Sequence, residues 1–144
     1  MALPLWLVYA LLSAVMAALV AVFGKIGLKD IDANSATAVR SIIMALFLVG
    51  VVAVQGKFAQ MAELFSQTKA LSFVLLSGVA GALSWLFYFL ALKYGNVSQV
   101  GPVDKLSVVI AVVLALLFLG EKISWVNAAG VVLIVAGTIL VAGK

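Results

Sequence analysis

Long apolar stretches alternate with short polar turns along the whole chain. Five stretches are apolar over about 20 residues, the length that a helix needs to cross a bilayer core of roughly 30 Å. They run from Leu3 to Phe23, Ala36 to Val54, Ala70 to Leu92, Ser98 to Leu119 and Ile123 to Ala142. This pattern predicts an all-α integral membrane protein in which five transmembrane helices form a single domain over residues 1–144.

The polar turns also predict where two of the helices begin. Asn34 or Ser35 can cap the second span and Ser124 the fifth, because their side chains accept hydrogen bonds from amides of the first turn. The first stretch has no basic residues before it and is longer than the apolar part of a signal peptide, so we expect it to be retained as a span.

The longest connection predicts a helix lying on the membrane surface. Its glutamines and its glutamate are turned away from an apolar face. The residues of that face recur at helical spacing and are Phe58, Met61, Leu64 and Phe65. The alternative is an ordinary polar loop with scattered apolar residues.

Composition supports a membrane protein and excludes several other classes. Of the 144 residues, 67% are hydrophobic and 10% are charged, and the mean hydropathy is +1.34. Cysteine and histidine are both absent, so disulfides, thiol nucleophiles, imidazole bases and the usual zinc ligands are excluded. No paired carboxylates and no nucleophile with a base occur, so we expect no enzyme activity, no cofactor and no metal.

The basic residues indicate membrane interfaces rather than nucleic acid. The net charge is +4, but the nine basic residues are spread one or two per loop. If the N-terminus lies on side Y and the opposite face is side X, side Y holds Lys57, Lys69 and Lys122. Side X holds Lys25, Lys29, Arg40, Lys93, Lys105 and Lys144. The larger number of basic residues on side X favours X as the cytoplasmic side. We expect a multi-pass protein of the cell (inner or plasma) membrane. Because three of the X residues lie in spans or at a span end, insertion in both orientations stays open.

One acidic and one basic residue stand side by side inside the fourth stretch. Pro102 is expected in the first turn of this helix, and Asp104 then lies about 9 Å inside hydrocarbon at 1.5 Å per residue. The long Lys105 side chain can reach back to the membrane interface, and this is sufficient to explain a lysine at that position. The Asp104 side chain is too short to reach the interface.

Adjacent helical residues point about 100° apart, so the two charges are not expected to pair with each other. The expected partners of Asp104 lie on other helices, namely Lys25, Arg40 and Lys93. Asp104 is therefore predicted to belong to a substrate or ion pathway. The alternative is a structural tie between helices.

Polar and aromatic residues on three helices predict a cavity for a small organic ligand. Such a cavity has aromatic walls and a few hydrogen-bonding groups. The candidates are Tyr9 and Ser13 on the first span, Ser84, Trp85 and Tyr88 on the third, and Ser107 following Asp104 on the fourth. The alternative for each is a hydrogen bond to its own backbone or to a neighbouring helix.

Three segments resemble the EamA-type domain of the drug/metabolite transporter superfamily. "GKIGLKDIDANSATAVRS" is similar to that domain's first hairpin, with Lys25 and Arg40 at its basic positions, and "YFLALKYGNVSQVGPV" is similar to its passage from the third helix to the fourth, with Lys93 and Pro102 in place. "FLGEKISWVNAAGVVLIVAG" is similar to its Gly-Glu turn and glycine-spaced fifth helix. The resemblance covers nearly the whole chain and implies a single EamA-like bundle that moves small metabolites, often outward.

Family transporters usually carry two such domains, so this chain is expected to need a partner, most simply a second copy. The resemblance then implies a secondary transporter and exporter, a homodimer in antiparallel orientation within membrane lipid, with alternating access. In this interpretation Asp104 binds a coupling ion or a cationic group, Trp85 and Tyr88 form an aromatic wall, and Lys25 and Arg40 supply positive charge. A small dual-topology ion channel and a non-transporting assembly subunit are the alternatives.

Overall fold

The computed structural model describes residues 4–143, which form helices joined by turns. The predicted first residue of the first span, Leu3, and the side-X residue Lys144 lie outside the described residues. The helices are α1 (Leu5–Gly27), α2 (Ala33–Val54), α3 (Phe58–Leu64), α4 (Thr68–Tyr94), α5 (Val97–Asp104), α6 (Leu106–Leu114), a π-helical turn (Ala115–Leu119) and α7 (Trp125–Ala142).

The five predicted spans are confirmed within this part of the chain. α1, α2, α4 and α7 are each long and apolar enough to cross a membrane, and so is the continuous segment Val97–Leu119. α1 and α4 extend beyond their predicted ends through the turns that carry Lys25 and Lys93. A cation in the last turn of a helix is favourable because the carbonyls there carry partial negative charge.

Most large apolar side chains point away from the rest of the chain. Phe47, Phe87 and Leu133 are exposed, for example, whereas only a few of the described residues, such as Leu92 and Phe89, are buried. An all-helical chain with this surface is suited to lipid, because helices satisfy their own backbone hydrogen bonds and hydrocarbon solvates the side chains. The fold class is therefore that of an all-α membrane protein.

The helix starts agree with the sequence at α7 but not at α2. The Ser124 side chain accepts a hydrogen bond of 3.2 Å from the Asn127 amide, as predicted. α2 is instead capped by Asp32, which accepts from the Ser35 amide at 2.8 Å. The prediction of Asn34 or Ser35 was wrong because the helix begins earlier, at Ala33, and both residues lie in its first turn.

The connection between the second and third long helices contains the short helix α3. Phe58, Met61 and Leu64 belong to it and Phe65 caps its end. The helical interpretation is thus confirmed over the loop interpretation, while a position on the membrane surface stays a prediction.

The fourth span is interrupted at the charged pair. Helix α5 begins after Asn96, so Pro102 lies in its second turn and not in its first, as we had predicted. A proline there removes an intrahelical hydrogen bond and favours a bend. The Lys105 amide bonds to the Pro102 carbonyl at 3.1 Å and the Val108 amide to the Lys105 carbonyl at 3.0 Å, both over three residues instead of four. The span therefore consists of two α-helices, α5 and α6, that meet at Lys105, and it ends in the π-helical turn.

The described residues form two compact units. One contains α1 up to Lys25 together with the chain from Tyr94 onwards, and the other is Ile26–Lys93. In the first unit α5 and α6 pack against α7, and the buried Thr138 hydroxyl donates to the Pro102 carbonyl at 3.2 Å. This hydrogen bond ties the last helix to the proline turn.

Candidate functional site

In the unit Ile26–Lys93, α2 and α4 bring one cation onto a set of aromatic rings. Arg40 is in the second turn of α2, and its guanidinium carbon lies 3.6 Å from the centroid of the Trp85 ring. The same carbon lies 5.2 Å from the Phe89 ring centroid. Both distances are within the range of about 6 Å over which a cation is attracted to an aromatic face.

Trp85 is held in place by two neighbouring rings on α4. Tyr88 meets it edge-on, with ring centroids 5.7 Å apart and planes at 88°, and Phe89 lies 6.1 Å away at 67°. Spacings of three and four residues place these side chains on one face of the helix. Phe89 is buried. We call Arg40, Trp85, Tyr88 and Phe89 the arginine–aromatic cluster.

The cluster contains an unsatisfied donor. The Nη1 atom of Arg40 is buried and has no hydrogen-bond partner in the described structure. A guanidinium that stacks on a ring keeps its N–H groups in its own plane, so an acceptor binds at its edge, and at the buried Nη1 the neighbouring side chains must move to admit one. Leaving a buried donor unpaired costs about 1–3 kcal/mol, and more for a charged group, so such a site favours an acceptor.

The charged residues of the fourth span pair with each other, which our sequence prediction excluded. Lys105 Nζ lies 3.3 Å from Asp104 Oδ2, and the two side chains are 57% and 34% exposed. The prediction was wrong because it assumed one regular helix. The three-residue hydrogen bonds at Lys105 change the local geometry, and the long lysine side chain folds back along the chain.

Two lysines that were expected to pair with an acid bind backbone carbonyls. Lys25 Nζ donates to the Gly95 carbonyl at 2.8 Å, and Lys93 Nζ donates to the Ile31 carbonyl at 3.5 Å. The positive charge of Lys93 also acts on Asp32, the residue that caps α2. The pKa of Asp32 is held below its usual range mainly by the hydrogen bond from the Ser35 amide and to a smaller extent by the Lys93 charge.

The remaining predicted residues lie on exposed helix surfaces. Ser84 is exposed one turn before Tyr88, Ser107 is exposed near the start of α6, and Tyr9 and Ser13 are exposed on α1. An open depression at the start of α4 is lined by Gln67, Thr68, Lys69, Ala70 and Phe73, and it contains none of the predicted site residues. Residues 4–143 contain no group of three or more acidic, histidine or cysteine side chains that could hold a metal.

Comparison with known proteins identifies the family. The model of the EamA-like transporter family matches residues 4–143. The chain belongs to this family. A Sinorhizobium sp. protein described as "Uncharacterized transporter in cobO 3'region" is 42% identical to this EamA-like protein over 137 residues, which cover 95% of the present chain and 96% of the relative. No solved structure matches the chain.

The family match confirms the resemblance that three sequence segments indicated, and it covers all five apolar helices. This EamA-like protein is a multi-pass membrane transporter of the drug/metabolite superfamily. Membership indicates transport rather than catalysis.

Proposed function

We propose that this EamA-like protein is a secondary transporter of small organic metabolites or drugs, that it works outward, and that it acts as a homodimer in the cell membrane. The observation that carries the proposal is the family match along all five apolar helices. The Asp104–Lys105 pair at the break in the fourth span supports it, because transporters often use interrupted helices to bind substrates and coupling ions.

Asp104 is the proposed coupling residue. Its carboxylate is held by Lys105 at 3.3 Å, so a proton or another cation that binds Asp104 competes with this ammonium group. Each binding event therefore changes the charge at the junction of α5 and α6. Because Pro102 and the three-residue hydrogen bonds already weaken this junction, it is a suitable hinge.

A second copy in the opposite orientation is the proposed partner. Five crossings place the two ends of a chain on opposite membrane sides, so an inverted copy supplies the other half of an inverted repeat. The glycine face of α7 supports a contact between copies. A Cβ atom at Gly130 or Gly137 would meet nothing within 4 Å in the described chain, so another helix can approach closely there.

Efflux from proteoliposomes tests the coupling. The vesicles are loaded with a metabolite extract from cells grown on ¹³C-labelled carbon, a pH gradient is imposed, and mass spectrometry follows the compounds released. We expect release of a limited set of compounds that depends on the gradient, and Asp104→Asn removes that dependence. Glu121→Gln, which neutralises an exposed acid in the turn before α7, is the matched control and leaves it intact. Equal gradient dependence in the Asp104 variant and in the control excludes the coupling role.

Labelling of single cysteines tests the orientation. The natural chain has no cysteine, so Asp30→Cys and Ser66→Cys, at exposed turns on opposite predicted sides, can be labelled separately. An impermeant maleimide applied to one side of intact cells labels about half of each variant if both orientations occur. Full labelling of one variant and none of the other shows a single orientation, which contradicts the antiparallel dimer.

A further inference from the structure

The arginine–aromatic cluster holds a positive charge inside a membrane-spanning helix, and within residues 4–143 this charge forms no ion pair. Arg40 is half-buried against Trp85 and Phe89, and its buried Nη1 has no partner. We infer that this cluster is an oxyanion-binding site, in which Arg40 holds a carboxylate or phosphate group of the ligand by its guanidinium edge. The inference rests on the proposed function for its role in transport and supplies the missing substrate class, an organic anion.

The two helices that build the cluster provide no internal counter-ion. Neither α2 nor α4 contains an aspartate or glutamate, from Ala33 to Val54 or from Thr68 to Tyr94. A charge inside a membrane is costly unless it is paired, and a guanidinium has donors only. An anion satisfies both the charge and the free N–H, whereas a neutral acceptor satisfies only the N–H.

The geometry also disfavours a cationic ligand. The nearest aromatic face, that of Trp85, is already occupied by the Arg40 guanidinium at 3.6 Å, so it is not open to a second cation. A ligand cation near the cluster would instead be repelled by Arg40 at short range. Stacking fixes the plane of the guanidinium, which prepares its edge for the two-point binding typical of carboxylates and phosphates.

The depth of Arg40 favours a dissolved anion over a lipid headgroup. The predicted second span begins at Ala36, so Arg40 lies about 6 Å inside hydrocarbon at 1.5 Å per residue. The phosphate of a lipid headgroup lies outside the hydrocarbon core and would have to be drawn inwards to bind there. Both ligands offer the same oxygens, however, so the experiment separates them.

Fluorescence of Trp85 tests the site by direct binding, without transport. The chain has three tryptophans, and Trp6→Phe with Trp125→Phe leaves Trp85 as the only reporter. The protein is purified in a maltoside detergent, which carries no phosphate, and titrated with benzoate, its neutral isostere benzamide, or benzylamine. We expect a saturable change in Trp85 emission with benzoate and an apparent Kd at least tenfold weaker for the other two probes.

Variants of Arg40 assign the effect to the guanidinium. Arg40→Gln weakens benzoate binding at least tenfold and Arg40→Lys weakens it less, because the charge remains while the two-point geometry is lost. Lys69→Gln, which removes an exposed cation at the start of α4, is the matched control and leaves the titration unchanged. If Arg40→Gln does not fold, the comparison of benzoate with benzamide in the protein that keeps Arg40 still decides the matter.

Addition of phosphatidylglycerol to the same micelles identifies the source of the oxyanion. An emission change with benzoate that depends on Arg40 assigns the site to a solute. A change with the lipid alone, lost in Arg40→Gln, assigns it to a headgroup phosphate, and both results support the site. Equal responses to benzoate and benzamide, a stronger response to benzylamine, or no response to benzoate or to the lipid would overturn it. Efflux from a protein that responds to neither benzoate nor the lipid rejects the oxyanion site and keeps the transporter. An Arg40-dependent response without any efflux keeps the site and rejects the transporter.

Discussion

The stack of Arg40 on Trp85 makes a quantitative prediction about stability. The guanidinium carbon lies 3.6 Å from the Trp85 ring centroid and 5.2 Å from that of Phe89. Cation–π contacts contribute about 0.5–1 kcal/mol at exposed sites and about 2 kcal/mol or more when desolvated. Arg40 is half-buried, so we expect a coupling free energy of about 1–2 kcal/mol between Arg40 and Trp85.

A single substitution does not measure this contact. Arg40→Met removes the stack, but it also removes the unpaired Nη1 donor, whose burial costs about 1–3 kcal/mol. The two effects oppose each other, so the free energy of unfolding of Arg40→Met stays close to that of the natural protein or rises. A double-mutant cycle with Trp85→Leu separates the two effects. Arg40→Met removes the unpaired donor both in the natural protein and in the Trp85→Leu variant, so that cost cancels, whereas the stack is lost only in the natural protein.

The assay is reversible unfolding in mixed micelles, followed by helical circular dichroism, for the natural chain, both single variants and the double variant. Phe73→Leu replaces Trp85→Leu in the control cycle, because Phe73 is an exposed aromatic residue in the first turns of the same helix. Distant sites add within about 0.3–0.5 kcal/mol. A coupling of Arg40 to Trp85 no larger than its coupling to Phe73 would refute the stacking account.

Three further predictions concern the turns. Thr138→Val lowers the free energy of unfolding by about 0.6–1.7 kcal/mol, because the hydrogen bond from its hydroxyl to the Pro102 carbonyl is lost; unchanged stability in unfolding titrations would contradict this tie. Gly120→Ala costs about 1–2 kcal/mol, because the residue ends the fourth span at φ +65°, and Gly120→Asn, which tolerates that conformation, should cost measurably less in the same titration. Asp32 has a lowered pKa in the folded protein, so its contribution to stability is present near neutral pH and is lost as pH falls below about 4. Asp32→Asn keeps a cap acceptor for the Ser35 amide and should flatten this acid-side change in melting temperature, and an unaltered pH profile would argue against the cap as its source.

The sequence predicted the five spans because hydrocarbon imposes a strict length of apolar helix, and that requirement is visible residue by residue. The Ser124 cap was predictable for a similar reason, since it depends on neighbours within three positions. The α2 cap and the position of Pro102 were missed by a few residues. Helix ends depend on which of several adjacent polar residues is used, and the sequence offered Asp32, Asn34 and Ser35 within four positions.

The candidate site was predicted in part. Trp85 and Tyr88 were expected as an aromatic wall, whereas Arg40 was expected as a partner of Asp104. The stacking of Arg40 on Trp85 depends on how α2 and α4 pack, which local spacing does not specify. Phe89 was missed, although its position four residues after Trp85 was an available signal. The Asp104–Lys105 pair was missed because a regular helix was assumed across a proline turn.

Saturation of flux tests the central claim, that this EamA-like protein is a carrier, most directly. Proteoliposomes receive increasing concentrations of the compound released most strongly from the labelled extract, and initial uptake is measured with and without unlabelled compound inside. The account predicts that the rate reaches a plateau and that internal compound accelerates uptake, because one site must alternate between the two faces of the membrane. A rate or conductance that rises in proportion to concentration would show a channel, and no protein-dependent movement at all would contradict transport.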